Sequence, residues 1–215
     1  MTRTIQANRV SLEELEKNFH IQLVEDEHFF PEWQDNLPVI STEEQKRLDR
    51  VKASYLNLIK HPPLLENSVK MVVLSPLLDL AGFYLPPFHI QSEKSVEIVS
   101  EDEGVVVKGQ IDVLAISAQL WVLVIESKQA AFSLEVGIPQ LLAYMFSNPN
   151  PTQPTFGLLI NGSSCRFVKL TRGEASQYGV SRGFDLLNPG NDLYQVLRIL
   201  RSLNQLIVEE GNTIN

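Results

Sequence analysis

One cysteine, Cys165, is all that the 215 residues contain. An internal disulfide is therefore excluded, and so is a thiolate cluster for zinc. The four histidines (His20, His28, His61, His89) are scattered, without paired metal-ligand spacing. Soft-metal chemistry is thus disfavoured, and any metal should be held by oxygen ligands. No apolar run approaches the roughly 20 residues that cross a bilayer. The opening MTRTIQANRVSLEELEKNF has no apolar signal core. These absences lead us to expect a soluble cytoplasmic protein with no membrane partner. Internal repeats and low-complexity tracts are missing too. So is a G-x-x-x-x-G-K-[ST] phosphate loop, which excludes a complete nucleotide-driven motor. Positive charge is scarce: 18 Lys and Arg face 26 Asp and Glu, a net charge of −8. That weighs mildly against tight nucleic-acid binding. The deficit is uneven, however. Residues 1–103 carry 18 acidic and 10 basic side chains, whereas residues 104–215 carry eight of each.

What is present is an ordinary globular composition, 44% hydrophobic, sufficient for a sizeable core. Ser11 and Glu14 have capping-box spacing and predict a short helix over residues 11–19. Residues 20–40 read as irregular, with Phe29, Phe30 and Trp33 as a docking patch. Ser41 and Glu44 predict a second helix to about Lys60, which Pro62 and Pro63 end. Residues 1–60 are therefore expected to form a helical arm, and residues 61–215 the main domain. LLENSVKMVVLSPLLDLAG reads as an apolar helix with a kink at Pro76 and a stop at Gly82. FHIQ, VEIVS and VVVKGQIDVLAIS read as strands. LWVLVIESK reads as a strand covered on both faces. SLEVGIPQLLAYMFS is helical. FGLLINGSSCRFVKL is a hairpin turning at Asn161-Gly162. A closing amphipathic helix follows Asp192. The expected class is α/β, with one central mixed sheet flanked by helices.

Three polar residues interrupt otherwise apolar strands: Asp112 in GQIDVLAI, and Glu126 and Lys128 at the end of LWVLVIESK. Residues two apart on a strand share a face, so Glu126 and Lys128 should project together. A short turn at 117–119 would make the two strands neighbours, with Asp112 opposite the pair. Two carboxylates and an amine suit phosphodiester hydrolysis. Hard oxygen ligands recruit Mg²⁺, which binds phosphate and activates water. A lysine beside the metal can orient or deprotonate that water, or stabilise developing charge. A strand-end ion pair is the plainer alternative, although charged groups half-buried without a task are costly. A second E-x-K, Glu44 and Lys46, reads as a solvated helix face. Lys108 and Gln110 read as solvated positions. Arg166, Lys169 and Arg172 form at most a strip of surface charge.

GQIDVLAI, VLVIESK and QLLAY together resemble the signature of the PD-(D/E)XK nuclease superfamily. More narrowly they resemble the nuclease domain of type I restriction enzyme motor subunits. The resemblance spans about residues 64–170 and implies a restriction-endonuclease-like core. It implies Asp112 on the second core strand and Glu126 and Lys128 on the third, with Gln140 and Tyr144 as the Q-x-x-x-Y of the next helix. Glu66 matches an acid of the first core helix, and FGLLINGSSCRF matches the strand and N-G turn that often follow. The proline of the family name is replaced by Ile111. The resemblance thus implies a DNA endonuclease that uses Mg²⁺ or Mn²⁺. The metal would be held by Asp112 and Glu126, with the Ser127 carbonyl as a further ligand. It would act alone, as a homodimer, or with a separate motor or recognition subunit. The alternative is a catalytically silent nuclease fold that binds nucleic acid or protein.

Overall fold

Two serines start the first two helices. The Ser11 hydroxyl accepts the Glu14 N–H at 3.1 Å, and the Glu14 carboxylate accepts the Ser11 N–H at 3.1 Å. This reciprocal cap opens α1, Leu12–Phe19. Ser41 and Glu44 repeat it at α2, Thr42–Leu58. Each cap satisfies donors that a helix start leaves unpaired, worth about 1 kcal/mol.

The computed structural model describes residues 3–62, 65–91, 95–99, 105–110, 114–115, 120–125, 134–173 and 175–213. The expected apolar helix is present in three joined parts: α3 (Glu66–Val69), a π-helical segment (Lys70–Leu74) and α4 (Ser75–Ala81). The sequence reading placed a kink at Pro76. The helix instead widens just before it, where the Ser75 N–H reaches back to the Lys70 carbonyl. Proline has no N–H to donate to the preceding turn, and the wider turn re-pairs the backbone there. Gly82 ends α4 in the left-handed conformation at φ 86°. The N–H of Phe83 then closes onto the Leu78 carbonyl at 3.0 Å.

Among the described residues, ten strands form two sheets, where the sequence reading expected one. The smaller sheet has β1 (Arg3–Gln6), β4 (Val105–Gln110) and β3 (Ser95–Val99) in that order. The larger contains β2 (Ile21–Leu23), β5 (Leu114–Ala115), β6 (Leu120–Ile125), β7 (Thr155–Asn161), β8 (Ser164–Thr171) and β9 (Ser176–Val180). Its order is β2-β9-β8-β7-β6-β5, and β10 (Phe184–Asp185) also pairs with β8. VVVKGQIDVLAIS is described in two parts. β4 joins the smaller sheet and β5 the larger, and residues 111–113 lie outside the described set. FHIQ forms no strand; only Gln91 makes an isolated bridge.

Helix α5 (Ile138–Phe146) crosses from β6 to β7, which run parallel. Helix α6 (Leu193–Thr213) closes the described chain. β7 is buried at every position. Its Phe156, Leu158 and Ile160 enter a core shared with α2, α3, α4 and α6. Leu159 faces the other core, with α1, α5 and the smaller sheet. Gly157 lies on that second side because a Cβ there would stand 2.6 Å from Leu141 Cδ2. The sheet is thus covered on both faces, as its apolar runs require. Among the described residues, no helix is long and apolar enough to cross a membrane.

Within residues 1–60, expected as a helical arm, β1 and β2 each supply an edge strand, one to each sheet. Residues of this segment also enter both cores. The Phe30 ring stacks on Trp33 with centroids 3.5 Å apart, and Trp33 leans on Phe167 of β8. The aromatic group therefore docks, as the sequence suggested.

Candidate active site

The larger sheet pairs the two strands that flank the main candidates in sequence. β5 pairs antiparallel with β6, Leu114 with Val122 and Ala115 with Trp121. The two strands around the predicted constellation are thus neighbours. β6 lies inside the sheet, between β5 and β7. Asp112, Glu126, Ser127 and Lys128 themselves lie outside the described residues. Among the described residues, no group of three or more His, Cys, Asp or Glu side chains could hold a metal.

Three secondary candidates are described. Glu66 is the first residue of α3, and α3 touches β6. Its carboxylate pairs with Lys70 one turn on, and its side chain is 19% exposed. Gln140 and Tyr144 share a face of α5, as their spacing of four requires. Gln140 Nε2 donates to Tyr144 Oη at 2.8 Å. Tyr144 is buried in the α5 core, so its ring anchors the glutamine. A helix linking two parallel strands runs antiparallel to both. The start of α5 is therefore nearer the ends of β6 and β7 than its last turn is, and Leu141, next to Gln140, stands over Gly157 of β7.

That sheet end holds further polar groups. Asn161 ends β7 directly across from Ile125, the last residue of β6. Asn161 Oδ1 accepts the Ser164 N–H at 3.3 Å. The Asp185 carboxylate accepts from Ser164 Oγ at 2.5 Å and from Ser163 Oγ at 3.3 Å. It also accepts the Leu187 N–H at 2.7 Å. This network closes the turn and carries no unused nucleophile. Beside it, burial pushes the Cys165 thiol up to about 12, aided by Asp192 and Asp185. A thiol so buried is inert.

The supposed basic strip is engaged in packing. Arg166 pairs with Glu135 at 3.1 Å and donates to the Ser181 carbonyl at 3.1 Å. Lys169 pairs with Glu32 at 2.5 Å, each side chain 10% exposed. Arg172 donates to the carbonyls of Phe146 and Asn148. Lys108 pairs with Glu97 at 3.1 Å on an open surface. Glu44 differs from the solvated residue expected of it. It caps α2 and pairs with Arg201 of α6. A groove of about 390 Å³ between α2 and α4 is lined by Arg47, Arg50, Met71 and Pro76 among others, and by none of the described candidates.

No model of a known protein family matches the chain, and no curated protein matches it.

Proposed function

We propose that the chain is a metal-dependent DNA endonuclease of the PD-(D/E)XK type, built on a restriction-endonuclease-like core. The observation that carries this reading is the position of β6. It is an interior strand, antiparallel to β5 and parallel to β7, that leads by one peptide bond into Glu126-Ser127-Lys128. Asp112 precedes β5 by two residues. The helix that carries Glu66 touches the same strand, and the crossover helix carries Gln140. These are the elements from which the resemblance draws its acid, its E-x-K and its glutamine.

The reading also makes a demand on sheet faces. Phe156, Leu158 and Ile160 of β7 turn towards the core that contains α3, and their register partners on β6 are Leu120, Val122 and Val124. In this proposal Glu126 and Lys128 continue that alternate series, on the Glu66 side of the sheet.

The donor set suits a hard divalent ion, since every available ligand is oxygen. Asp112 and Glu126 would hold Mg²⁺ or Mn²⁺, with the Ser127 carbonyl as a further ligand. When bound, the ion supplies an acidified water and neutralises phosphate charge. Lys128 orients the attacking water or meets charge that develops on the phosphoryl oxygens. Gln140, braced by Tyr144, positions the site from α5. DNA is the substrate, and the chain acts alone, as a homodimer, or with a separate motor or recognition subunit.

A silent binding module is the competing reading. The commitment of Arg166, Lys169 and Arg172 to protein acceptors favours it, because fewer cations remain for phosphate. Calorimetric titration of Mg²⁺ and Mn²⁺ into the wild type and Asp112→Asn tests the proposal. Binding should be lost in the variant, and equal binding by both would remove Asp112 from the site.

A further inference from the structure

The groove between α2 and α4 combines an apolar floor with positive charge, in a chain of net charge −8. Arg47, Arg50 and Ser54 line it from α2. Their spacing of three and four puts them on one stripe of the helix, about 10 Å long. Met71, Pro76 and Leu80 line it from the π-helical segment and α4. Arg47 reaches Asp79 at 3.9 Å, and both side chains are more than half exposed. Arg50 is exposed and holds no ion pair among the described residues. Two cations therefore face one anion here. Met71 is 73% exposed, whereas every other apolar side chain of residues 66–81 is buried or half-buried. The widened turn that carries Met71 is a feature frequent at functional sites.

The geometry points to a docking groove for an amphipathic helix of another protein, apolar on one face and acidic along its flank. This inference is independent of the nuclease reading. Apolar residues at i, i+3, i+4 and i+7 of the guest lie against Met71, Pro76 and Leu80, the usual way a helix occupies a groove. Methionine suits such a contact because it is unbranched and polarisable. Glutamate or aspartate on the guest's flank meets Arg50 and competes with Asp79 for Arg47, since a guanidinium can hold a carboxylate with two parallel hydrogen bonds. Nucleic acid fits this groove less well, because a phosphate backbone gains nothing from an apolar floor and is repelled by Asp79. A second copy also fits less well. Its helices α1, α2 and α6 have already turned their apolar faces into the two cores.

Two labelled synthetic peptides test this by fluorescence anisotropy. Each is a helix of about four turns with leucine at i, i+3, i+4 and i+7. One is flanked by glutamate and the other by lysine. The glutamate peptide should bind saturably, and the lysine peptide about tenfold or more weakly, with the difference shrinking as salt is added. Arg50→Glu should weaken the glutamate peptide and strengthen the lysine peptide, a reversal that misfolding cannot produce. Met71→Asp should weaken the glutamate peptide by about tenfold, as loss of a central apolar contact does. Both side chains are exposed, so both variants should melt like the wild type. No saturable binding of the glutamate peptide overturns the inference, and so does binding that neither variant alters. Sedimentation of the protein alone and anisotropy with a labelled DNA duplex test the other occupants. A wild-type dimer that Met71→Asp dissolves, or duplex binding that Arg50→Glu abolishes, gives the groove to a second copy or to nucleic acid and equally overturns the inference.

Discussion

Lys169→Met tests how the segment around Trp33 is fixed to the larger sheet. Lys169 sits on β8, and its Nζ reaches Glu32 Oε1 at 2.5 Å and the Phe29 carbonyl at 3.0 Å. It also stands 5.2 Å from the centroid of the Phe29 ring. The side chains of Lys169 and Glu32 are each 10% exposed, and Glu32 Oε2 is buried without a hydrogen-bond partner. Methionine keeps most of the lysine stem and removes the charge. The Glu32 carboxylate is then left buried beside apolar groups. Breaking one partner of a buried pair costs about 3–5 kcal/mol, whereas replacing both with apolar residues is close to neutral. The attraction and the desolvation of the two charges nearly cancel, so the large loss comes from the orphaned carboxylate. Lys169→Met should therefore lose about 3–5 kcal/mol, and Lys169→Met with Glu32→Leu should recover most of it. Urea unfolding followed by tryptophan fluorescence measures both. A single variant that loses less than about 1 kcal/mol, the value of an exposed pair, would refute the reasoning. So would a double variant no more stable than the single one.

Gly157→Ala should destabilise by about 1–3 kcal/mol, because the new Cβ would stand 2.6 Å from Leu141 Cδ2 and 2.9 Å from Met145 Sδ. It should also slow any cleavage by shifting α5 and Gln140; unchanged urea stability would show that α5 yields freely. Glu44 is held down to about 2, first by the Arg201 guanidinium and then by the Ser41 N–H. Its folded pKa lies below its unfolded one, so its contribution is complete above the ordinary carboxylate range and is lost as pH falls towards 2. Glu44→Gln should flatten the decline of stability in acid, and an acid-unfolding profile parallel to the wild type would contradict this.

The parts of the fold that were legible in the sequence are those with local causes. Ser11 with Glu14 and Ser41 with Glu44 announce α1 and α2, because both halves of each cap lie within one turn. Asn161-Gly162 announces the β7–β8 hairpin, and the apolar run of LWVLVI announces β6. The parts that were not legible depend on distant partners. RTIQ becomes β1 only through parallel pairing with Val105–Lys108, about a hundred positions away. IQL becomes β2 only beside Ser176–Tyr178. Neither has a periodicity long enough to mark it. The widening over Lys70–Leu74 follows from a missing donor at Pro76, and sequence alone could not tell a kink from a π-turn. In the candidate site, the spacing of Gln140 and Tyr144 sufficed to predict a shared face, and their hydrogen bond follows from it. The pairing of Glu66 with Lys70 has the same helical origin.

The most direct test of the nuclease proposal is a cleavage assay on purified protein. Plasmid, single-stranded DNA and RNA are incubated with the wild type and with Lys128→Met, with and without Mg²⁺ or Mn²⁺, and melting temperatures are recorded alongside. The proposal predicts metal-dependent cleavage of DNA by the wild type. Lys128→Met should fold normally and cut more slowly by a factor on the order of 10²–10³, the usual cost of losing one transition-state electrostatic contact. Wild-type rates from the variant would remove Lys128 from the mechanism, and no cleavage by the wild type of any substrate with either metal would contradict the proposal itself.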